Sequence, residues 1–247
     1  MKGAVISSEA NVDKNKLSTD TLMYSDIENK AEYSASSTGV NINTKPNTKY
    51  NEQGVTPNIG VTAKGDADST TKSAISSGAI EVRSNPNQDL STLSRDTTNS
   101  LSALGKIFDK KTVQEQQELA KVFGEVAYEE VGNIAKRAYD KAVKDKDQQA
   151  MKDWSEGGAN KIALHALVGG IMSDFGGSSF VSGAVGAGIN EALQKELSNI
   201  KDPALHQWAS ALVGATASKV VGGNAQTGAS TAVSGTKYNL QAHDIVK

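Results

Sequence analysis

The chain contains no cysteine, few aromatic residues and no long hydrophobic run. Without Cys among its 247 residues, it cannot form disulfides, use a thiolate nucleophile or bind zinc through sulfur. Aromatic residues make up 5% and hydrophobic residues 37%, which argues against one large, well-packed core. The formal net charge is −2, with acids and bases interspersed, so no basic footprint for nucleic acid is present. We therefore expect no nucleic-acid partner.

The first eight residues are not typical of a signal peptide. Met1 to Ser8 hold one basic residue and lack the apolar stretch of about 7–15 residues that such a peptide needs. If the protein acts outside the cell, we expect the export signal to belong to a longer protein.

Composition divides the chain into three zones, of which two precede the helices. Residues 1–48 alternate polar and β-prone residues, which predicts the end rungs of a β-solenoid, with an open β-meander as the alternative. Residues 49–88 hold Pro57, Pro86 and several glycines, and residues 66–73 are strongly polar. Such a stretch buries too little apolar surface to order itself. We expect a flexible linker there, with one short strand over residues 79–83.

From Asp89 onward the hydrophobic period becomes helical, and residues 89–247 are predicted to form an α-helical domain. A first helix capped by Asp89 or Ser91 would align six residues on one face: Leu90, Leu93, Thr97, Leu101, Leu104 and Phe108. A second helix is predicted to begin near Thr112, which forms a capping box with Glu115. The predicted fold class is therefore α+β, with short N-terminal solenoid-like strands followed by a mostly helical domain.

The helical zone contains an internal repeat. Residues 166–169 read Ala-Leu-Val-Gly and are followed by Gly176-Gly177 and Gly183-Ala184, and the same order recurs about 45 residues later from Ala211. Each Gly-Gly pair suits a turn, because glycine adopts positive φ without steric cost. The pattern predicts two Gly/Ala-rich helical hairpins with closely packed arms. Membrane insertion is the alternative, but the arms are shorter than the ~20 apolar residues of a membrane span.

Another helix is predicted between the two hairpins. Asp202-Pro203 places Pro at the first helical position. Leu205, Trp208 and Leu212 are expected to form the buried stripe of that helix, with Trp208 as a packing anchor.

The sequence offers no assembled catalytic constellation. Its three histidines are His165, His206 and His243, and the spacing of His165 from Asp174 matches no short metal-ligand pattern. Neither a nucleophile elbow nor a Walker A loop occurs. Glu129 points away from its neighbour Glu130. Glu125 and Glu129 share a face that an exposed helix explains. We therefore predict no catalytic, cofactor-binding or metal-binding residue, no cofactor, and a protein that is not an enzyme.

Several segments resemble a known family. Residues 1–8 and 15–22 resemble the last β-helix rungs of filamentous-hemagglutinin-type exoproteins, and residues 56–61 and 105–115 resemble the region after those rungs. Residues 163–170 and 222–229 resemble the pretoxin region of contact-dependent growth inhibition effectors. The resemblance implies a virulence-related exoprotein, exported by two-partner secretion, that projects a β-helix from the cell surface and delivers a variable C-terminal toxin.

The resemblance also implies a role and a set of partners. Many relatives end this region in a Val-Glu-Asn-Asn motif followed by the toxin, whereas this chain passes Tyr238 and reaches Lys247 without that motif. We expect a secreted or cell-surface, non-catalytic structural and delivery module that lacks the toxin domain. Its partners would be the rest of the exoprotein or its toxin domain, with the target-cell membrane as a further candidate. The alternatives are a toxin or hydrolase with its active site in the helical domain, or a membrane-inserting translocation segment.

Overall fold

The computed structural model describes residues 1–46, Tyr50 and residues 52–239. Short strands come first and helices follow, so the predicted α+β class is confirmed. The strands are β1 (Val5–Ile6), β2 (Lys16–Thr19), β3 (Ile27–Ala35), β4 (Thr38–Asn43), β5 (Gly54–Ile59), β6 (Ala63–Thr71), β7 (Ala74–Ile75) and β8 (Ala79–Val82). The helices are α1 (Lys110–Asp145), α2 (Gln148–Trp154), α3 (Ala159–Phe175), α4 (Phe180–Ala192), α5 (Gln194–Leu197), α6 (Pro203–Val220) and α7 (Ala225–Asn239).

Contacts divide the chain into two compact units. The strand-rich unit comprises residues 1–33 and 65–108, and the helical unit comprises residues 34–64 and 109–247. The antiparallel hairpin of β4 and β5 therefore belongs with the helices. Composition predicted zone boundaries near residues 48 and 88. It could not predict the observed units, because composition carries no information about which distant segments a strand packs against.

Parallel pairing of short strands characterises the strand-rich unit. β1 pairs with β7, where Val5 lies opposite Ala74, and β2 pairs with β8, where Lys16 lies opposite Ala79. Parallel partners need a long connection, and residues that lie opposite each other in these pairs are more than sixty positions apart in sequence. This arrangement agrees with the solenoid-like strands expected from the sequence. The apolar centre of the unit is formed by Leu22, Ile75, Val82 and Leu93.

The segment expected to be a linker, residues 49–88, instead contains β5 to β8. β6 pairs with β3, and its side chains alternate between inward and outward positions although most of them are polar. The backbone bonds of a strand are satisfied by its partner, so outward-facing polar side chains do not prevent ordering. Composition therefore underestimated the order of this segment.

The helix expected from Asp89 to Phe108 is absent from that described segment, which forms turns. The carboxylate of Asp89 accepts a hydrogen bond from the Ser91 backbone N–H at 2.8 Å, and that of Asp96 accepts one from Thr98 at 2.9 Å. Such local side-chain bonds compete with helix formation. Leu93 is buried as predicted, but in the centre of the strand-rich unit, whereas Leu101 is exposed.

In the helical unit, the long helix α1 begins at Lys110, close to the predicted start. Its cap is Asp109, whose side chain accepts a hydrogen bond from the Thr112 backbone N–H at 2.8 Å, rather than Thr112 itself. Farther along α1, Tyr128 and Val131 are buried in an apolar cluster with Met172 of α3. α1 thus supplies large side chains to the apolar cluster that it shares with α3.

The duplicated hairpin is confirmed as the pairs α3–α4 and α6–α7, with positive φ at Gly177 and Gly222 in the turns. A Cβ added to Gly169 would lie 2.4 Å from the Gly183 carbonyl oxygen. In the second hairpin, a Cβ added to Gly214 would lie 2.2 Å from that of Gly228. The two arms of each hairpin therefore approach at backbone distance, which only glycine allows at these positions.

The predicted buried stripe of α6 is wrong. Leu205 and Leu212 are 61% and 69% exposed, and Trp208 is 40% exposed. The face of α6 that packs inward carries mainly small or polar residues: His206, Gln207, Ser210, Ala211, Gly214 and Ser218. Because α6 meets α7 at backbone distance, bulky side chains do not fit between them and lie on the outer face.

None of the described helices is both long and apolar enough to cross a membrane.

Candidate functional site

A polar cleft of about 960 Å³ lies in the helical unit, between the β4–β5 hairpin, α1 and α7. We call it the hairpin cleft. A concave surface of this size with converging polar groups is the usual position of a binding or active site. Its charged and aromatic lining residues are Tyr50, Glu52, Glu118, Lys121, Glu125, Lys237 and Tyr238.

Carboxylates and lysines are interleaved along the hairpin cleft. The hydroxyl of Tyr50 lies 3.1 Å from Glu125 Oε1 and 3.3 Å from Glu129 Oε2, and donates to these carboxylates. Lys237 forms an ion pair with Glu52 on the opposite side. The sequence suggested an ordinary exposed helical face for Glu125 and Glu129. Their shared contact with Tyr50 depends on a long-range packing that the helical period does not reveal.

Two tyrosine rings form the inner wall of the cleft. Tyr50 and Tyr238 meet edge to face, with ring centroids 4.9 Å apart. Burial raises the pKa of the Tyr238 phenol above its ordinary value, and the nearby carboxylate of Glu125 raises it further. Tyr238 therefore keeps its proton at neutral pH, and its hydroxyl is available as a hydrogen-bond donor.

A second polar group is enclosed inside the helical unit. Lys161 and His165 of α3 meet Glu191 of α4, and each of the three residues is at most 2% exposed. Lys161 Nζ lies 3.6 Å from Glu191 Oε1, and His165 Nε2 lies 3.4 Å from Glu191 Oε2. Lys161 also pairs with Glu156, and the Gly157 backbone N–H donates to Glu191 at 3.2 Å. We call Glu156, Lys161, His165 and Glu191 the buried charge cluster.

Burial shifts the pKa values in this cluster toward neutral side chains. It lowers the pKa of His165 to about 3, with the positive charge of Lys161 as the next cause. Burial raises the pKa of Glu191 to about 7, although Lys161 opposes that change. The deprotonated imidazole and the protonated carboxyl are thus both favoured by the same dry environment.

The structure separates the other residues that the sequence singled out. Asp174 is exposed, whereas His165 is buried. His206 is buried with its Nε2 3.2 Å from Gln194 Nε2. The Trp208 indole N–H donates to the Val55 carbonyl at 2.9 Å, so this exposed side chain contacts β5 and is not part of a buried stripe on α6. His243 lies outside the described residues.

Sequence reasoning did not find Glu191. Glu191 lies in an ordinary helical pattern of small residues next to Asn190. The only feature that could have indicated a buried site was a single carboxylate in a Gly/Ala-rich helix. Over residues 1–46, 50 and 52–239, no group of three or more His, Asp or Glu side chains is placed to hold a metal ion.

Comparison with known proteins identifies the class of protein. The chain is 34% identical to the tRNA nuclease CdiA-2 of Burkholderia pseudomallei over 87% of its own length, which is 8% of that relative. It is 29% identical to the tRNA nuclease CdiA of Escherichia coli strain NC101 over 95% of the chain and 8% of the relative. It is also 32% identical to the deoxyribonuclease CdiA of Dickeya dadantii over 63% of the chain and 5% of the relative.

The chain belongs to the contact-dependent growth inhibition exoprotein family, as the resemblance of its segments implied. It spans less than a tenth of the length of these three relatives. No family model matches it, and no solved structure matches it.

The prediction that the chain is not an enzyme is wrong. Relatives that match 87% and 63% of the chain are named tRNA nuclease and deoxyribonuclease. The prediction rested on an absence, the lack of a catalytic constellation visible in the sequence, and such an absence does not exclude an activity.

Proposed function

We propose that this chain is part of a contact-dependent nuclease toxin, and that its helical unit helps to deliver that toxin to a target cell. The observation that carries the proposal is the similarity of the chain to relatives named as nucleases of two kinds. One named tRNA nuclease and one named deoxyribonuclease match it at 34% and 32% identity. A segment shared by toxins with different named substrates suits a step common to both, and delivery is such a step.

The small residues and buried charges of the helical unit support this delivery role. The arms of the two hairpins contact each other through glycine and alanine, and the first hairpin also encloses the buried charge cluster. Small residues contribute little hydrophobic free energy on burial, and buried charges cost free energy unless they are paired. We expect such a body to unfold more readily than an apolar helical bundle, which suits passage through a cell envelope. Its partners would be the remainder of the exoprotein and the surface of the target cell, and its location outside the producing cell.

A chimera tests the delivery role. This chain replaces the matched segment of the Burkholderia CdiA-2 exoprotein, and cells that display the chimera are mixed with target cells. Loss of target tRNA on contact is expected from the chimera but not from a protein in which the segment is deleted. The deletion protein should still cleave tRNA when its toxin is produced inside the target cell. Contact-dependent cleavage that survives the deletion would contradict the proposal.

The hairpin cleft supports a second candidate, in which the helical unit itself cleaves nucleic acid. Glu125 can serve as a general base toward a ribose hydroxyl, and Lys121 and Lys237 can neutralise charge that develops on a phosphate. These residue types converge on one concave surface, which is the specific observation in its favour.

Purified chain incubated with tRNA tests this candidate, and plasmid DNA, which lacks the ribose 2′-hydroxyl, should stay intact. Cleavage is expected to fall by at least tenfold in Glu125→Gln if Glu125 is the base. Glu130→Gln is the matched control, because Glu130 lies on the same helix but pairs with Arg137 at 2.7 Å and does not line the cleft. Equal activity of both variants, or no cleavage by the chain, would exclude the cleft as the nuclease centre.

A further inference from the structure

The closely packed glycines of the two helical hairpins correspond at an offset of 45 positions. Gly169 and Gly183 of the first correspond to Gly214 and Gly228 of the second, each 45 positions later, and they make the same backbone contact. With the same offset, His165 corresponds to Ser210 and Glu191 to Thr236. All four of these residues are buried.

The corresponding residues also make corresponding contacts. His165 Nε2 lies 3.4 Å from Glu191 Oε2, and the hydroxyls of Ser210 and Thr236 lie 2.7 Å apart. One position of the duplicated body is thus occupied by a titratable pair in the first hairpin and by a neutral hydroxyl pair in the second. Because a Ser–Thr pair fills this position in the second hairpin, the fold does not require ionisable groups there.

The fold accepts two hydroxyls at this position, so burying ionisable groups there lowers the stability of the first hairpin without being required by the fold. Buried charges are destabilising unless they are paired, and loss of one partner leaves an uncompensated charge inside the protein. The charges in the cluster balance when Lys161 is positive, Glu156 is negative and His165 and Glu191 hold one proton between them. Adding a second proton leaves a buried net charge of +1, and removing the only one leaves −1.

We infer that His165 and Glu191 together hold a single titratable proton and act as a latch that fastens the first hairpin, so that gain or loss of a proton opens α3 and α4 before α6 and α7.

The charged and titratable groups around the pair come from several elements. Tyr128 of α1 packs its ring against the His165 imidazole, with centroids 5.0 Å apart, and Glu156 and Lys161 approach from the start of α3. α7 presents the side chain of Asn239 and the backbone at Gly235, neither of which titrates. On α6, the titratable side chain of His206 is buried, and its Nε2 lies 3.2 Å from Gln194 Nε2.

The two pKa shifts make the stability of the first hairpin depend on pH in opposite directions. The pKa of His165 falls from 6.5 to about 3, so the stability that neutral His165 gives is complete above pH 6.5 and is lost as pH falls toward 3. The pKa of Glu191 rises from 4.5 to about 7, so the stability that protonated Glu191 gives is complete below pH 4.5 and is lost as pH rises through 7. Between pH 4.5 and 6.5 the two dependences cancel.

Native-state hydrogen exchange on the full chain, with opening constants corrected for intrinsic exchange, tests the latch. For the wild-type protein, opening of α3 and α4 should be nearly independent of pH between 4.5 and 6.5. In Glu191→Gln, only His165 titrates, and the opening constant should rise about a hundredfold as pH falls across that interval, at about tenfold per pH unit. In His165→Ser, the constant should instead rise about a hundredfold as pH increases across the same interval.

Two further variants complete the experiment. His165→Ser with Glu191→Thr gives the first hairpin the Ser–Thr pair of the second and should give a flat profile between pH 4.5 and 6.5. Ser210→Ala with Thr236→Val is the matched control, because it removes the corresponding neutral pair and should keep the wild-type profile. If both single variants are flat between pH 4.5 and 6.5, or if α6 and α7 respond as strongly as α3 and α4, the latch does not exist. The single variants decide the matter even where the double variant fails to fold.

Discussion

The α3–α4 and α6–α7 hairpins carry the same backbone contact but enclose different chemistry. Both bring two glycines together so closely that a single added Cβ would collide with a carbonyl oxygen. The first encloses Lys161, His165 and Glu191, whereas the second encloses His206, Ser210 and Thr236. The comparison teaches that close backbone packing specifies the hairpin, and that the polar residues inside it can vary without changing the fold.

The largest expected difference between the hairpins comes from Lys161→Met. This change leaves Glu156 and Glu191 without their shared cation, and should reduce the free energy of unfolding by about 3–5 kcal/mol near neutral pH. Denaturant unfolding followed by circular dichroism measures the loss. The corresponding change in the second hairpin, His206→Met, removes one hydrogen bond to Gln194 and should cost only about 1 kcal/mol. Equal losses would show that the charge cluster has no special role.

The next effect should be shared by both hairpins. Gly183→Ala places a Cβ 1.9 Å from the Gly169 carbonyl oxygen, and Gly228→Ala places one 2.3 Å from that of Gly214. Each substitution forces the helices apart and should cost about 3 kcal/mol, measured by the same denaturant titration. Gly105→Ala is a suitable control, because nothing lies within 4 Å of its added Cβ. If only one of the two Gly→Ala substitutions lowered the free energy of unfolding, the two hairpins would not be structurally equivalent.

A smaller asymmetry is expected at the helix starts. The Asp202 side chain accepts a hydrogen bond from the Leu205 backbone N–H at 2.9 Å, whereas Gly158, which caps α3, makes no side-chain bond. Asp202→Ala should therefore destabilise α6 by about 1 kcal/mol. Hydrogen exchange of the first turn of α6 reports this loss, with the first turn of α3 as an internal reference. Unchanged exchange in Asp202→Ala would contradict the capping role.

The smallest effect should come from the outer faces. Leu167 and Leu212 occupy corresponding positions and are 50% and 69% exposed. Changing either to Ala should alter the free energy of unfolding by less than about 0.5 kcal/mol, since exposed substitutions rarely matter more. Thermal unfolding of the two variants beside the wild type would check this. A loss above about 2 kcal/mol in either would mean that this face is covered by something in solution.

Sequence patterns predicted the helical part of the fold better than the strands. Glycine pairs at fixed spacing predicted both hairpin turns, and Pro203 at the first helical position predicted the start of α6. β6 was missed because its order comes from its pairing with β3 rather than from its own polar residues. The helix expected after Asp89 was wrong because capping-type side chains turned the chain locally instead of starting a helix.

The candidate sites were less predictable than the fold. His165 was visible as an isolated histidine, but its contact with Glu191 joins residues on two different helices. Glu125 was visible on a helical face, but the hydroxyl of Tyr50 that it accepts from belongs to a segment 75 positions earlier. No motif of fixed spacing links the members of either group.

The sequence by itself determined the repeat, the glycine turns, the proline helix start and the small side chains that line each hairpin. These features follow from steric and hydrogen-bonding preferences that act over a few residues. Only the tertiary structure decided that Leu205, Trp208 and Leu212 of α6 lie outward and that β6 pairs with β3. It also decided that an imidazole and a carboxyl meet inside the first hairpin. The reason is physical: which surface of a helix is buried, and which groups are removed from water together, depends on how closely distant backbones approach.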